Sequence, residues 1–315
     1  MGHDKLRKFA ENETFSCLLQ PSATELLRDG YAALRDHPVK GHWGERFADP
    51  GAPLVLELGC GKGEYTIDLA SNVPGRNYVG VDIKGARLWK GAKYATEHAL
   101  GNVGFLRTRI EFISAFFAPG EVSELWLTFS DPQVRSENSR LTSPVFLERY
   151  SRFLAPGGLI HLKTDSQFLY QYTLAVFRAN GLPVHACTED LYAEAGRFDE
   201  CLTRVQTFYE RMFREQGYPI KYLCFSLDGA QEAVGALAGR LLPIEGGPSS
   251  TPLAMSFNAS GSMPAQPHSR LSQSSARQFI SPSDFDSDYW RSVEGHRTLF
   301  GRDTAETRRQ KLHSR

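Results

Sequence analysis

Apolar runs recur along the first two thirds of the chain, separated by stretches whose apolar residues return at helical spacing. LVLEL (54–58), NYVGVDI (77–83), VGFLRT (103–108), ELWLTF (124–129) and GLIHLKT (158–164) predict buried strands. Helices are predicted from Glu64 to Ala70, Gly85 to Leu100, Ser143 to Leu154 and Ser166 to Asn180. Pro156-Gly157-Gly158 stops the third of these, and Gly181 stands where a helix C′ glycine belongs. Two late strands are predicted in LPVHACTEDL and PIKYLCFSL, with one helix from Cys201 to Gln216 between them. Regular strand–helix alternation implies an α/β fold, a doubly wound, mostly parallel seven-stranded sheet with helices on both faces.

The pattern divides the 315 residues into three stretches. Residues 1–50 read as a polar N-terminal arm and helical lead-in, and 51–228 as the α/β domain. Residues 229–315 read as a low-complexity, largely disordered tail, rich in Ser, Pro, Gly and Ala, with AQEAVGALAGRLL as a candidate helix. Hydrophobic residues make up 41% and charged residues 23%, enough for a normal core. No apolar run approaches the roughly 18 residues of a membrane span. The N-terminus MGHDKLRKFAENE has no apolar stretch of a secretory signal, so a cytoplasmic protein is expected. Lys plus Arg and Asp plus Glu both number 36, which argues against nucleic-acid binding by bulk charge and leaves a local basic patch open. Cys17, Cys60, Cys187, Cys201 and Cys224 form no C-x-x-C pair, so neither disulfides nor a metal site are expected.

Chemistry concentrates at the ends of the strands. After LVLEL comes Gly59-Cys60-Gly61-Lys62-Gly63, a turn that lets a ligand approach the backbone. A dinucleotide fingerprint needs its third glycine at position 64, where Glu64 would instead set a carboxylate against a diphosphate. The spacing therefore suits a ligand without phosphates. Glu57, just before the loop, complements a cation such as the sulfonium and amino group of S-adenosylmethionine. Asp82 lies about 20 residues on, where an acid can bond ribose hydroxyls. The plainer alternative is a tight turn, with Asp82 capping the following helix. After the fourth strand, Thr128-Phe129-Ser130-Asp131-Pro132 puts Asp131 towards the same crevice, or else forms an ordinary Asx turn.

In order, ELGCGKGEYT (57–66), YVGVDI (78–83), ELWLTFSDPQVR (124–135), RLTSPVFLERYSRFLAPGG (140–158), HLKTDSQFLY (161–170) and TFYE (207–210) resemble the bacterial tRNA (guanine-N7-)-methyltransferases. The resemblance covers roughly residues 1–227 and includes the opening KLRKFAENETF. It implies a Rossmann-like methyltransferase fold and methyl transfer from S-adenosylmethionine to N7 of a guanine in tRNA, at position 46 of the variable loop. It also implies tRNA as partner, no membrane, no metal, and a monomer or homodimer. By the same resemblance Glu57, Gly59, Gly61, Gly63, Asp82 and Asp131 bind the cofactor, and Arg135, Asp165, Thr207, Phe208, Tyr209 and Glu210 bind substrate. Asp131 and Asp165 are the candidate catalytic carboxylates.

Three features depart from that family's pattern. Ser130 replaces the first proline of a P-D-P motif, the basic run after it is reduced to Arg135 and Arg140, and Arg109 stands where an acid would hold adenine. Guanidinium has donors only and cannot accept a bond from the adenine amino group. Arg107 and Arg109 are alternatively surface charges or phosphate contacts. Lys5, Arg7, Lys8, Arg135, Arg140 and Lys163 are the candidate grips on tRNA phosphate. Asp165 has an alternative role as a helix N-cap, and TFYE has one as plain helix with Phe208 in the core and Glu210 in solvent. The competing functions are methylation of a small molecule or protein, and a non-catalytic binding module of the same fold.

Overall fold

In the computed structural model, which describes residues 2–28, 33–228 and 277–301, the apolar runs assemble into one eight-stranded sheet. The chain opens with α1 (Gly2–Asn12), β1 (Leu18–Leu19), α2 (Ala23–Leu26), β2 (Leu27–Arg28) and β3 (Ala33–Leu34). The central units are β4 (Leu54–Leu58), α3 (Glu64–Asn72), β5 (Asn77–Asp82), α4 (Gly85–Glu97), β6 (Val103–Arg107) and β7 (Val122–Thr128). There follow α5 (Pro144–Ser151), β8 (Leu154–Thr164), α6 (Gln167–Asn180) and β9 (Val184–Thr188). The last elements are α7 (Cys201–Arg204), α8 (Phe208–Glu215), β10 (Lys221–Ser226) and α9 (Ser287–Gly301).

The strand order is β1-β6-β5-β4-β7-β8-β10-β9, parallel from β1 to β8, with β10 antiparallel to both of its neighbours. The seven expected strands are β4 to β10. The eighth, β1, is a two-residue edge strand on β6, while β2 and β3 form a separate antiparallel pair. Strand order reverses between β4 and β7, which makes the carboxyl ends of those two strands the natural crevice.

Alternation within the central strands gives the sheet two different faces. Leu56, Leu58, Leu125, Leu127, Ile160, Leu162, Leu223 and Phe225 join an apolar core with Phe146 of α5 and Phe168 and Tyr172 of α6. The intervening residues Glu57, Glu124, Trp126, Thr128, His161 and Lys163 are also buried, on the face that meets Tyr65 of α3. There His161 stacks on Trp126 at 4.2 Å and lies 3.3 Å from Glu124, which also pairs with Arg76 and accepts the Trp126 indole N–H at 2.7 Å. Burial opposes the charge on both groups. The nearby Cys224 and Glu124 nevertheless raise His161 to about 9, and its charge, with Arg76, holds Glu124 at about 2.

Two expectations change. The single helix from Cys201 to Gln216 is broken into α7 and α8, because Thr207 takes an extended backbone (φ −63°, ψ 161°) and caps α8. Within the 229–315 tail, residues 277–301 form α9 and a lead-in packed on α6, where the sequence showed no element. Their apolar anchors Phe279, Phe285 and Trp290 are too widely spaced to form a periodic pattern. The rest of that tail, including the candidate helix in AQEAVGALAGRLL, lies outside the described residues.

Candidate functional site

The glycine loop is set by its own backbone. Gly59, Gly61 and Gly63 have φ of 78°, 60° and 75°, the left-handed region that side chains disfavour. A Cβ on Gly59 or Gly61 would meet nothing within 4 Å, so the loop presents bare backbone to open space. At Gly63 it would lie 2.7 Å from Phe105, so that position is closed by packing as well. The loop is tied to β5 by the Gly59 and Cys60 N–H groups, both donating to Val81 O at 2.8 and 3.0 Å.

Two carboxylates hold this loop. Asp82 accepts from Gly61 N at 3.0 Å and from Lys84 N at 2.7 Å, joining the loop to the start of α4. Glu57, only 4% exposed, accepts from Thr66 N at 2.9 Å and from the Thr66 and Thr128 hydroxyls at 2.5 Å. Burial raises its pKa, opposed by those three bonds. Glu57 thus locks β4, α3 and β7 together beneath the loop, and Asp82 faces the cavity.

That cavity, about 950 Å³, opens at the carboxyl ends of the parallel strands. It brings together Gly59, Asp82, Asp131 and Tyr209 from the predicted residues, with Lys84, Arg87, Arg109 and Glu111 around them. Arg109 lies 3.4 Å from Glu111, so an acid does stand beside the expected adenine position, two residues later in the chain. Glu57, Gly61, Gly63, Arg135, Asp165, Thr207, Phe208 and Glu210 do not line it.

The acceptor loop after β7 is held in uncommon backbone. Phe129 and Gln133 have φ of 51° and 45°, left-handed values for residues other than glycine, of the kind that cluster at functional sites. Phe129 N donates to Lys163 O at 2.8 Å, and Asp131, exposed, accepts from Gln133 N at 3.0 Å. Ser130 lines the cavity with its hydroxyl buried and without a hydrogen-bond partner. Arg135 is exposed on the same segment. Asp165 is buried just before α6, where Ser166 takes the N-cap role by accepting from Leu169 N at 3.0 Å.

TFYE divides in a way that neither sequence expectation anticipates. Thr207 and Glu210 form a capping box, with Glu210 N donating to Thr207 Oγ1 at 3.2 Å and Thr207 N to Glu210 at 3.3 Å. Glu210 is completely buried, 2.5 Å from the equally buried Lys163, and also accepts from the Tyr192 hydroxyl at 2.7 Å. Phe208 and Tyr209 are 55% and 45% exposed, with the Lys62 ammonium 5.2 Å from the Phe208 ring centre. The core and solvent roles are therefore the reverse of the plain-helix alternative.

Two proposed phosphate grips are corrected. Lys163 donates to the Tyr65 hydroxyl and Leu202 O besides pairing with Glu210, and burial lowers its pKa against the pull of that carboxylate. Arg140 is buried, donating to Gln133 O and Val134 O at 3.2 Å. The signal available in the sequence was the position of Lys163 inside the buried run LIHLKT. In contrast, the exposed Lys5 lies over Phe9 of α1 itself, while α1 sets Arg7 and Lys8 against α4. There Arg7, Lys8 and Lys93 surround the Trp89 ring at 5.2, 4.9 and 5.1 Å, and Asp4 and Glu11 partner Arg7.

Among the described residues no helix is long and apolar enough to cross a membrane, and no group of His, Cys, Asp and Glu could hold a metal ion.

Residues 51–223 match the model of a family described as putative methyltransferase. Over 229 residues the chain is 46% identical to a tRNA (guanine-N(7)-)-methyltransferase of Bacteroides thetaiotaomicron, covering 72% of this chain and 87% of that protein. It is 46% identical to one from Christiangramia forsetii over 71% of this chain and 98% of that protein. A third, from Porphyromonas gingivalis, is 50% identical over 60% and 78%. Among solved structures, the 16S rRNA methyltransferase KamB is similar with a TM-score of 0.45 at 17% identity, covering 61% of this chain and 94% of that one.

Proposed function

The chain belongs to the tRNA (guanine-N7-)-methyltransferase family, and from that premise we propose how its cavity carries out methyl transfer to N7 of a guanine in tRNA, at position 46 of the variable loop. The observation that carries the proposal is the convergence of the bare Gly59 backbone, Asp82, Asp131 and the half-exposed Tyr209 on one cavity, with the exposed Phe208 next to Tyr209. S-adenosylmethionine supplies the methyl group, when bound, as a sulfonium. The open backbone at Gly59 and Gly61 fits close approach of this ligand, Asp82 offers an acceptor for ribose hydroxyls, and Glu57 and Gly63 fix the loop from beneath. Glu111 and the backbone at Ile110 are the groups placed to meet the adenine.

Guanine N7 carries an in-plane lone pair and needs no deprotonation. The protein's task is therefore to orient the base and exclude water, with no general base required. Asp131 is an exposed carboxylate at the cavity on the loop after β7, suited to accept from guanine N1–H and the 2-amino group, a donor pair that adenine lacks. Phe208 and Tyr209 offer ring faces for bases around the target. Lys84 and Arg87 at the cavity, continued by Lys5, Arg7 and Lys8 of α1, form the basic track for phosphates despite the zero net charge. Work on tRNA would place the protein in the cytoplasm.

Labelled S-adenosylmethionine and unfractionated tRNA test this directly. The expected product is N7-methylguanine in the variable loop. Label appearing only in protein or a small molecule would overturn the assignment, and label elsewhere in the tRNA would overturn the position. An Asp131→Asn enzyme that kept full rate and full preference for guanine would remove the orienting role given to that carboxylate.

A further inference from the structure

The acceptor loop is clamped from behind by α6, and the other side of α6 is covered by residues 277–301. On the loop side, Arg140 donates to Gln133 O and Val134 O while its guanidinium lies 4.6 and 4.3 Å from the Phe168 and Tyr172 ring centres. The Tyr172 hydroxyl donates to Glu137 at 2.7 Å, which fixes the same segment a second time. On the tail side, Phe285 presses edge-on against both of these rings, at 5.4 Å and 83° to Phe168 and at 5.4 Å and 78° to Tyr172. The two aromatic residues are thus held between a guanidinium that shapes the loop and a phenyl ring contributed from more than a hundred residues away.

The tail is fastened along the whole length of α6. At the helix C-terminus, Asn180 donates to Ile280 O and accepts from Ile280 N, both at 2.8 Å, as an added strand would. Arg277 donates to Leu227 O at the end of β10. At the helix N-terminus, the buried Glu294 carboxylate lies 3.4 Å from Phe168 N, where a negative charge meets the positive end of α6. The tail residues that make these contacts lie beyond residue 223, where the family match ends, whereas their partners on α6 lie within it.

We propose that residues 277–301 are a clasp that positions the acceptor loop for methyl transfer, acting through Phe168, Tyr172 and Arg140. Phe285 and Arg140 are positioning residues and touch no substrate. Closely packed rings have few alternative arrangements, so displacing the half-buried Phe285 from the buried Phe168 and Tyr172 shifts the guanidinium and the two carbonyls it holds. The kinetic part rests on the tRNA reading; the structural part does not.

The test compares the full-length chain with Phe285→Leu, Arg140→Lys and the double variant. Measured are backbone amide exchange, S-adenosylmethionine affinity, and kcat and KM for tRNA. Phe285→Leu is expected to speed exchange across residues 133–136 and to lower kcat about tenfold, the scale of coupling through packed networks. Exchange in the glycine loop and cofactor affinity should stay at the wild-type values. In the Arg140→Lys background the Phe285 substitution should cost much less, since both act on the same carbonyls. Unchanged exchange at 133–136 would overturn the proposal, as would a loss shared equally by the glycine loop and cofactor affinity, or full additivity of the two substitutions. If Phe285→Leu fails to fold, Asn180→Ala, which unhooks Ile280, reads the same exchange and kinetics. A wild-type protein inactive on tRNA would sink the functional reading alone, leaving exchange to decide the clasp.

Discussion

The two loops that meet at the cavity are built by opposite means. The glycine loop is a local construction, with three left-handed glycines, bonds to Val81 and Asp82, and Glu57 of the preceding strand accepting from Thr66 of the following helix. The acceptor loop has no glycine. It reaches its left-handed turns at Phe129 and Gln133 only because distant groups hold it: Lys163 O, Arg140 on two rings of α6, and Glu137 on Tyr172. Glycine makes a turn cheap and transferable between chains. A loop of ordinary residues in the same conformation depends on tertiary packing, and is free to differ in sequence where that packing differs.

The largest effect is expected from the long-range network behind the acceptor side. Lys163→Met strands the buried Glu210 carboxylate and should cost about 3–5 kcal/mol in chemical denaturation. The double variant Lys163→Met/Glu210→Gln should regain most of that, because glutamine preserves the capping box without the charge. Failure of the double variant to recover would mean that Glu210 is not held mainly by this pair.

On the cofactor side, Gly63→Ala meets both a left-handed backbone and Phe105. It should destabilise the fold by about 2 kcal/mol and weaken cofactor binding in parallel. Gly61→Ala, with open space around it, should cost only the backbone penalty of about 1 kcal/mol. Equal costs at the two glycines would break the account of a loop closed by packing at one end only. At the exposed aromatic pair, Phe208→Ala should leave thermal stability unchanged and reduce tRNA methylation by about 1–3 kcal/mol of lost stacking. A fall in melting temperature matching the loss of activity would return Phe208 to a structural role.

The expected effect of pH is smaller, and its sign follows from the buried pair on β7 and β8, Glu124 and His161. His161 is raised from 6.5 to about 9, so its contribution is complete below 6.5 and lost as pH climbs through about 9. Glu124 is lowered from 4.5 to about 2, so its contribution is complete above 4.5 and lost as pH falls towards 2. Stability measured by denaturant titration should therefore be greatest between about pH 4.5 and 6.5, with His161→Gln flattening the alkaline decline. The smallest effect is expected at exposed Arg135. Its change to Ala should reduce the salt slope of tRNA binding by about one and leave cofactor affinity alone.

The sheet and the cofactor loop were legible because they depend on short-range patterns. Apolar runs mark LVLEL and LIHLKT as strands in any context, and the spacing of Gly59, Gly61 and Gly63, with Glu64 where a third fingerprint glycine belongs, argues against a dinucleotide without knowledge of the fold. What the charged residues do was not legible. Arg140 looks like a surface cation in the sequence and Lys163 is marked only by its place inside LIHLKT, yet Arg140 is buried under two rings and Lys163 in a strand beside Glu210. Glu210 and Phe208 exchange their expected places because Thr207 breaks the helix there.

By itself, then, the sequence determined the α/β architecture, the cofactor turn and the family, all carried by local periodicity, glycine spacing and an ordered run of motifs. Only the tertiary structure decided which carboxylates face the cavity, which cations are buried and which stay at the surface, and that residues 277–301 close over α6. Those outcomes depend on contacts between residues far apart in the chain, whose energies arise from mutual burial and leave no periodic mark on the sequence.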